Sequence, residues 1–205
     1  SVDRQIPIAR ETLDIYAPIA NRLGIYSLKV ELEELGFNTY YPYRYRVLER
    51  ALRRAKGNQR QPLRKIEQRL AEGLKDAGIP ARVMTREKHL YSIYKKMRRK
   101  QLHLSDIVDV YGVRIIVHDV DSCYRVLGLT HQLYKPMPGR FKDYISIPRV
   151  NGYQSLHTTL FGPNGVPLEV QIRTEEMDRL AERGVAAHWL YKAVEKRTYG
   201  PEERA

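Results

Sequence analysis

The stretch NGYQSLHTTLFGPNGVPLEVQIRT, Asn151–Thr174, contains two alternating segments joined by a turn. In a β-strand, successive side chains point to opposite faces. Tyr153, Ser155, His157 and Thr159 then share one face, and Gln154, Leu156, Thr158 and Leu160 the other. The second segment, PLEVQIRT, sends Leu168, Val170 and Ile172 one way and Glu169, Gln171 and Arg173 the other. The triplet NGV between them is a turn signal. The result is a sheet with an apolar side for a core and a polar side that carries a ring, an imidazole and a carboxylate. Filling a core requires none of these three groups.

Upstream, DVYGVRIIVHD is a β-branched strand in which an acid, Asp109, stands at the entry and Arg114 interrupts the Val/Ile run. Asp109 and Glu169 give the polar face two carboxylates, and paired acids suit Mg²⁺, which prefers oxygen ligands, against a triphosphate. A solvent-facing side of an antiparallel sheet explains Glu, Gln and Arg equally well, and the strands alone leave that reading open. The preceding helix, KHLYSIYKKMRRK, turns Leu90, Ile93, Tyr94 and Met97 inward and carries Ser92, Lys96 and Arg99 on the other side. Arg86 and Lys88 lie just before its first turn. Cations oppose the helix dipole there, so the pattern predicts an anion such as a phosphate chain at that end.

Elsewhere, IPARVMTR is a strand, and SCYRVLGLTHQLY is a helix with Asp121 or Ser122 as its N-cap. The loop KPMPGRFKDYISIPRVNG is punctuated by Pro and Gly, and EEMDRLAERGVAAHWLYKAVEKR closes the domain as a helix. Strands interleaved with helices, some joined by tight turns, predict an α+β domain with a mixed sheet. The first 77 residues are helical throughout. ARETLDIYAPIANRLG is capped by Gly24, SLKVELEELG is closed by Gly36, and a turn-like FNTYYPY follows. The basic run from about Tyr45 to Ala77 is divided by Gly57 and Pro62 into two helices.

The chain has 205 residues, 42% of them hydrophobic, enough for a core and one domain with an appendage. Lys and Arg number 36 against 24 acids, a net charge of +12 that favours a polyanionic partner such as nucleic acid, an anionic surface or nucleotide phosphates. The single cysteine, Cys123, excludes an internal disulfide and a Cys-rich zinc site, and fits a reducing, cytoplasmic setting. No apolar run is long enough to span a bilayer. His118-Asp119 looks like the metal dyad of HD-type phosphohydrolases, but it ends an apolar strand rather than riding a helix. His89, His103, His131 and His188 have no metal-site spacing.

In order, the blocks REKHLYSIYKKM, DIVDVYGVRIIV, PGRFKDYI, NGYQSLHTTL, LEVQIRT and GVAAHWLYK closely resemble the synthetase domain of the RelA/SpoT family, which makes the alarmones ppGpp and pppGpp. The resemblance runs nearly unbroken from about residue 80 to 193. The opening ARETLDIYAPIANRLG resembles the helix leaving the family's hydrolase domain, whose metal-binding motif this chain lacks. The expected organisation is therefore an exit segment and helical connector over 1–77, a synthetase domain over 78–195 and a polar tail over 196–205, cut from a longer bifunctional enzyme.

The resemblance implies a nucleotidyltransferase-like sheet that transfers pyrophosphate from ATP to the 3′-hydroxyl of GDP or GTP and releases AMP, in the stringent response. Arg86 and Arg114 match the adenine-stacking arginines, and Lys88, Ser92 and Lys96 match the residues that hold the ATP phosphates. Asp109 matches the Mg²⁺ ligand. Glu169 matches the carboxylate that activates the 3′-hydroxyl and shares the metal. Lys142, Arg149, Asn151, Tyr153, His157 and Gln171 match the acceptor side, with Tyr153 stacking on guanine. The Arg140-Phe141-Lys142-Asp143 loop matches the hydrolase-bearing members and bears on the choice between GDP and GTP. The alternative is a catalytically weak module that senses nucleotides or contacts RNA and the ribosome, next to hydrolase and regulatory domains.

Overall fold

The alternation in Asn151–Thr174 becomes two antiparallel strands of a five-stranded mixed sheet in the computed structural model, which describes residues 2–102, 111–162 and 165–184. The strands are β1 (Ala81–Glu87), β2 (Tyr111–Val117), β3 (Lys142–Asp143), β4 (Leu156–Phe161) and β5 (Pro167–Thr174), in spatial order β1-β2-β5-β4-β3. The β2–β5 pair is parallel and the other three are antiparallel. The expected mixed sheet is therefore present.

One face is apolar as the alternation requires. Val113, Ile115 and Val117 of β2, Leu156 and Leu160 of β4, and Leu168, Val170 and Ile172 of β5 are buried in a single cluster. Each fully buried aliphatic side chain contributes roughly 1.5–3 kcal/mol. Helix α6 (Val120–Leu133), through Cys123 and Val126, covers this face with the C-terminal half of α4 (Pro42–Asp76), through Ile66, Leu70 and Leu74. The sequence segment before β4 corrects one expectation. The strand begins at Leu156, so Ser155 is not on the open face. It is fully buried and donates its hydroxyl proton to the Ile172 carbonyl at 3.0 Å.

The N-terminal region is helical with different boundaries. Helix α1 (Val2–Glu11) passes through a π-helical turn, Thr12–Tyr16, into α2 (Ala17–Arg22). Pro18 has no N–H to give to the turn before it, and Ala17 N–H reaches back five residues to the Thr12 carbonyl. Gly24, at φ 74°, ends the segment as expected. Helix α3 (Tyr26–Tyr40) runs straight through Gly36, which is a contact rather than a cap: a Cβ there would lie 2.8 Å from Leu13 Cγ. FNTYYPY is therefore mostly helix, broken at Tyr41, and Pro42 opens α4 at a position where a missing N–H costs nothing.

Helix α4 also continues past Gly57 and Pro62, where two helices were expected. A proline inside a helix removes one hydrogen bond and costs about 3 kcal/mol. Buried Leu48 on one side and Ile66, Leu70 and Leu74 on the other hold both halves in one line. At α6 the cap is Asp119, whose carboxylate accepts from Ser122 N–H at 2.7 Å, not Asp121 or Ser122. That assigns the His118-Asp119 pair a structural task. Helix α5 (Leu90–Lys100) buries Ile93 and Tyr94 as expected, and α7 (Glu175–Arg183) starts at a Thr174 cap and ends at Gly184.

Candidate nucleotide site

The polar face of the sheet is built by register. One row across the strands reads Met84, Arg114, Gln171, His157, Lys142; the neighbouring row reads Arg86, Gly112, Glu169, Thr159. Adjacent strands lie about 4.8 Å apart, so each row is a ladder of side chains within reach of its neighbours. Six expected site residues, Arg86, Arg114, Gln171, His157, Lys142 and Glu169, stand in these two rows. Gly112 was not among the expected residues. A Cβ there would meet the Glu169 carbonyl at 3.1 Å, and its bare backbone leaves a gap between Arg86 and Glu169.

Glu169 lies at the centre. Its Oε2 is 2.6 Å from Lys88 Nζ, and its Oε1 is 3.8 Å from His157 Nδ1. Burial pushes this carboxyl up, but the Lys88 ammonium with its hydrogen bond, together with His157 and a Gln171 hydrogen bond, holds the group below its ordinary value. His157 is buried among Arg149, Arg173 and Lys142, and its pKa falls to about 4, so the ring is neutral at pH 7 despite Glu169 beside it. Tyr153 O–H lies 2.8 Å from His157 Nε2. With Tyr153 donating there, the ring proton remains on Nδ1, facing Glu169.

Three adjoining cavities open onto this face. The largest, about 420 Å³, lies between Arg86 and Arg114 and is also lined by Met84, Thr85, His89 and Glu182. A second, about 180 Å³, brings Lys88, Ser92, Gly112 and Glu169 together. The third, about 190 Å³, is lined by Arg149, Asn151, Tyr153, His157, Gln171 and Arg173. Lys88 and Ser92 line only the second cavity and Arg149, Asn151, Tyr153 and His157 only the third, whereas Arg86 lines all three, Arg114 the first and third, and Gln171 the second and third. Lys96 lies one turn beyond Ser92 on α5.

Several expected residues have additional attachments. Arg114 is held by Asp178 at 3.2 Å and Glu182 at 3.1 Å, both on α7. Arg173, fully buried, shares the same two acids at 2.6 and 3.7 Å. Arg149 lies 4.3 Å above the Tyr144 ring and 5.6 Å from that of Tyr153, so a second tyrosine stands beside the residues expected on the acceptor side. Asn151 donates to the Asn21 carbonyl at 3.1 Å and accepts from Tyr153 N–H. Asp143 is tied into its own loop by Ile145 N–H and Ser146 N–H and to α6 by the Tyr124 hydroxyl, whereas Arg140, Phe141 and Lys142 project outward. The anion expected at the start of α5 includes one of the chain's own: Glu34 of α3 accepts from Tyr91 N–H at 3.4 Å. Burial raises the Glu34 pKa. Asp109, His103 and His188 lie outside the described residues.

The region found in RelA and SpoT proteins matches residues 85–196, over half of the chain. The chain belongs to the RelA/SpoT family. It is 60% identical over 190 residues to the bifunctional (p)ppGpp synthase/hydrolase SpoT of Escherichia coli K12, covering 93% of this chain and 27% of that protein. It is 47% identical over 192 residues to a GTP pyrophosphokinase of Myxococcus xanthus, covering 94% of this chain and 25% of that one. It thus spans about a quarter of the length of these RelA/SpoT relatives. Among solved structures, the small alarmone synthetase 1 of Bacillus subtilis superposes with a TM-score of 0.54 at 26% identity, over 70% of this chain and 80% of the other. The RelA/SpoT chain described here therefore has the α+β synthetase fold.

A metal fits the donor set in one respect. Glu169 supplies half-buried, ionised oxygens beside Lys88 and Ser92, the hard donors Mg²⁺ prefers. Among the described residues no three His, Cys, Asp or Glu side chains converge, so a cation here would draw further ligands from nucleotide oxygens and water. Also among the described residues, no helix is long and apolar enough to cross a membrane.

Proposed function

We propose that this chain transfers pyrophosphate from ATP to the 3′-hydroxyl of GDP or GTP, making (p)ppGpp and releasing AMP. The observation that carries the reading is Glu169 in the Lys88/Ser92 cavity, which shares Arg86 with the two-arginine cavity and both Arg86 and Gln171 with the Tyr153/His157 cavity. The resemblance of the donor and acceptor motifs to those of alarmone synthetases supports it. So do the names of the relatives, although several of them are named for the opposite hydrolytic reaction.

In this reading the adenine lies in the 420 Å³ cavity, whose two guanidinium planes suit stacking and cation–π contact. Lys88, Ser92 and Lys96 take the phosphates. The acceptor base packs against Tyr153 with Arg149 and Asn151 around it, and Gln171 separates the two sides. Glu169, held ionised, accepts the proton of the 3′-hydroxyl as that oxygen bonds to the β-phosphorus. The bond from the β-phosphorus to the α,β-bridging oxygen breaks, and AMP leaves with that oxygen. Neutral His157 donates its Nδ1 proton toward the incoming charge, and Lys88 turns from Glu169 to the phosphates when they arrive. Mg²⁺, held by Glu169 and Asp109, would neutralise phosphate charge. Positioning and charge neutralisation account for most of the rate.

In the test, the purified chain is incubated with labelled ATP, Mg²⁺ and GDP or GTP, and the products are separated by anion exchange. Guanosine tetra- or pentaphosphate with matching AMP supports the transferase. Nucleotide binding without product assigns the chain to the sensing alternative.

A further inference from the structure

The turn between α2 and α3 is docked on the nucleotide site. Gly24 reverses the chain at φ 74°, Ile25 N–H closes onto the Ala20 carbonyl at 3.0 Å, and Ile25 packs where Gly184 has no side chain. Asn151 pins the turn through the Asn21 carbonyl. These contacts carry Tyr26, the first residue of α3, into the middle of the site, where it lines all three cavities. Its position is 60 residues before Arg86 and outside the 85–196 region that defines the family match.

Tyr26 acts on Arg86. Its hydroxyl accepts a hydrogen bond from Arg86 Nη2, while Gln171 Oε1 accepts from Nη1 at 3.4 Å. A guanidinium anchored at both terminal nitrogens has a fixed plane. Across the cavity, Arg114 is held through Nη1 alone, by Asp178 and Glu182. The Tyr26 ring, 5.2 Å from the Arg86 guanidinium carbon and 6.3 Å from the His89 ring, closes the cavity between them.

Building on the proposed transferase reading, we propose that Tyr26 is a positioning residue of the donor-purine pocket. Its hydroxyl sets the Arg86 plane on which the base stacks, and its ring walls the pocket. A preorganised guanidinium binds a flat base without first losing rotamer freedom, so the anchor should weigh more on donor affinity than on acceptor affinity.

The test uses the full chain with Tyr26→Phe and Tyr26→Ala. Affinity for a non-hydrolysable α,β-methylene analogue of ATP and, separately, for GDP is measured by titration calorimetry. Tyr26→Phe, which keeps the ring and its packing, is expected to weaken the ATP analogue about 5- to 10-fold, a larger loss than for GDP, with the melting temperature unchanged. Tyr26→Ala is expected to weaken the analogue further. Unchanged analogue affinity in Tyr26→Phe would overturn the proposal. Tighter binding in Tyr26→Ala would also overturn it and make Tyr26 a plug that keeps the base out. An unsubstituted chain that binds no adenine nucleotide would overturn the transferase reading, and this inference with it. Analogue binding by that chain, unaffected by either variant, would leave the transferase reading standing and remove only the role of Tyr26.

Discussion

At the scale of single residues, Glu169 is the group on which the proposed chemistry depends. Its Lys88 contact keeps it ionised, the form that takes a proton from a hydroxyl. Glu169→Gln keeps the volume and removes the base. Transfer is expected to fall at least about 100-fold, while the affinity for an ATP analogue stays within about threefold; retention of a tenth of the activity would remove the assigned role. His157 gives a second prediction, on stability. Its folded pKa, about 4, lies below the ordinary value of 6.5, so between these values the unfolded chain binds the proton that the folded chain refuses. Stability must therefore fall as pH is lowered through that window, by at most about 1.4 kcal/mol per pH unit for one proton. Glu169, also depressed, acts in the same direction at lower pH. Thermal melts between pH 7 and 5 should show the loss, and His157→Gln should flatten the slope. An equal slope in that variant would place the titration elsewhere.

At the scale of elements, Gly36 shows how packing overrides a local signal. A glycine after LEEL reads as a helix end, yet α3 passes through it because Leu13 and the Ala9 carbonyl fill the space a methyl group would need. Gly36→Ala gains up to about 1 kcal/mol of helix propensity but overpacks that contact at about 1–3 kcal/mol. Net destabilisation of about 1–2 kcal/mol is expected in urea unfolding; a stabilised variant would mean that the two helices separate easily. The same competition explains Pro62, where apolar anchors on both sides carry α4 through a residue that usually ends a helix. The sheet was far more legible. Two-residue alternation in β4 and β5 assigned the faces of His157, Glu169 and Gln171 directly, and the register then joined them to Arg86 and Arg114. Tyr26, Asp178 and Glu182 were not legible as site residues, because they reach the site from helices whose docking no local pattern encodes. Gly112 had a readable signal, a glycine inside a β-branched strand, which marks a close backbone approach.

At the scale of the whole molecule, much of the net charge of +12 lies on one helix rather than on the polar face of the sheet. Helix α4 alone carries eleven Lys and Arg against four acids, seven of those twelve net charges. Its C-terminal half packs on the apolar face of the sheet, the side opposite Glu169, and Arg50, Arg54, Arg64 and Lys65 point into solvent. On the proposed reading, attraction for a polyanion is mostly a property of that helix, whereas nucleotide recognition rests on residues set by the register of the sheet. Replacing these four residues together by Ala should leave kcat/KM for transfer within about twofold at 0.15 M salt, where charges more than about 8 Å away are largely screened. Any affinity of the chain for single-stranded RNA should fall, and its log–log salt dependence should flatten by about 0.7 for each of the four that touches a phosphate. Filter binding across a salt series, run beside the transfer assay, measures both quantities. A parallel fall in transfer would bring α4 into the nucleotide site and undo the separation; an RNA salt slope left unchanged would move the polyanion surface to another part of the chain.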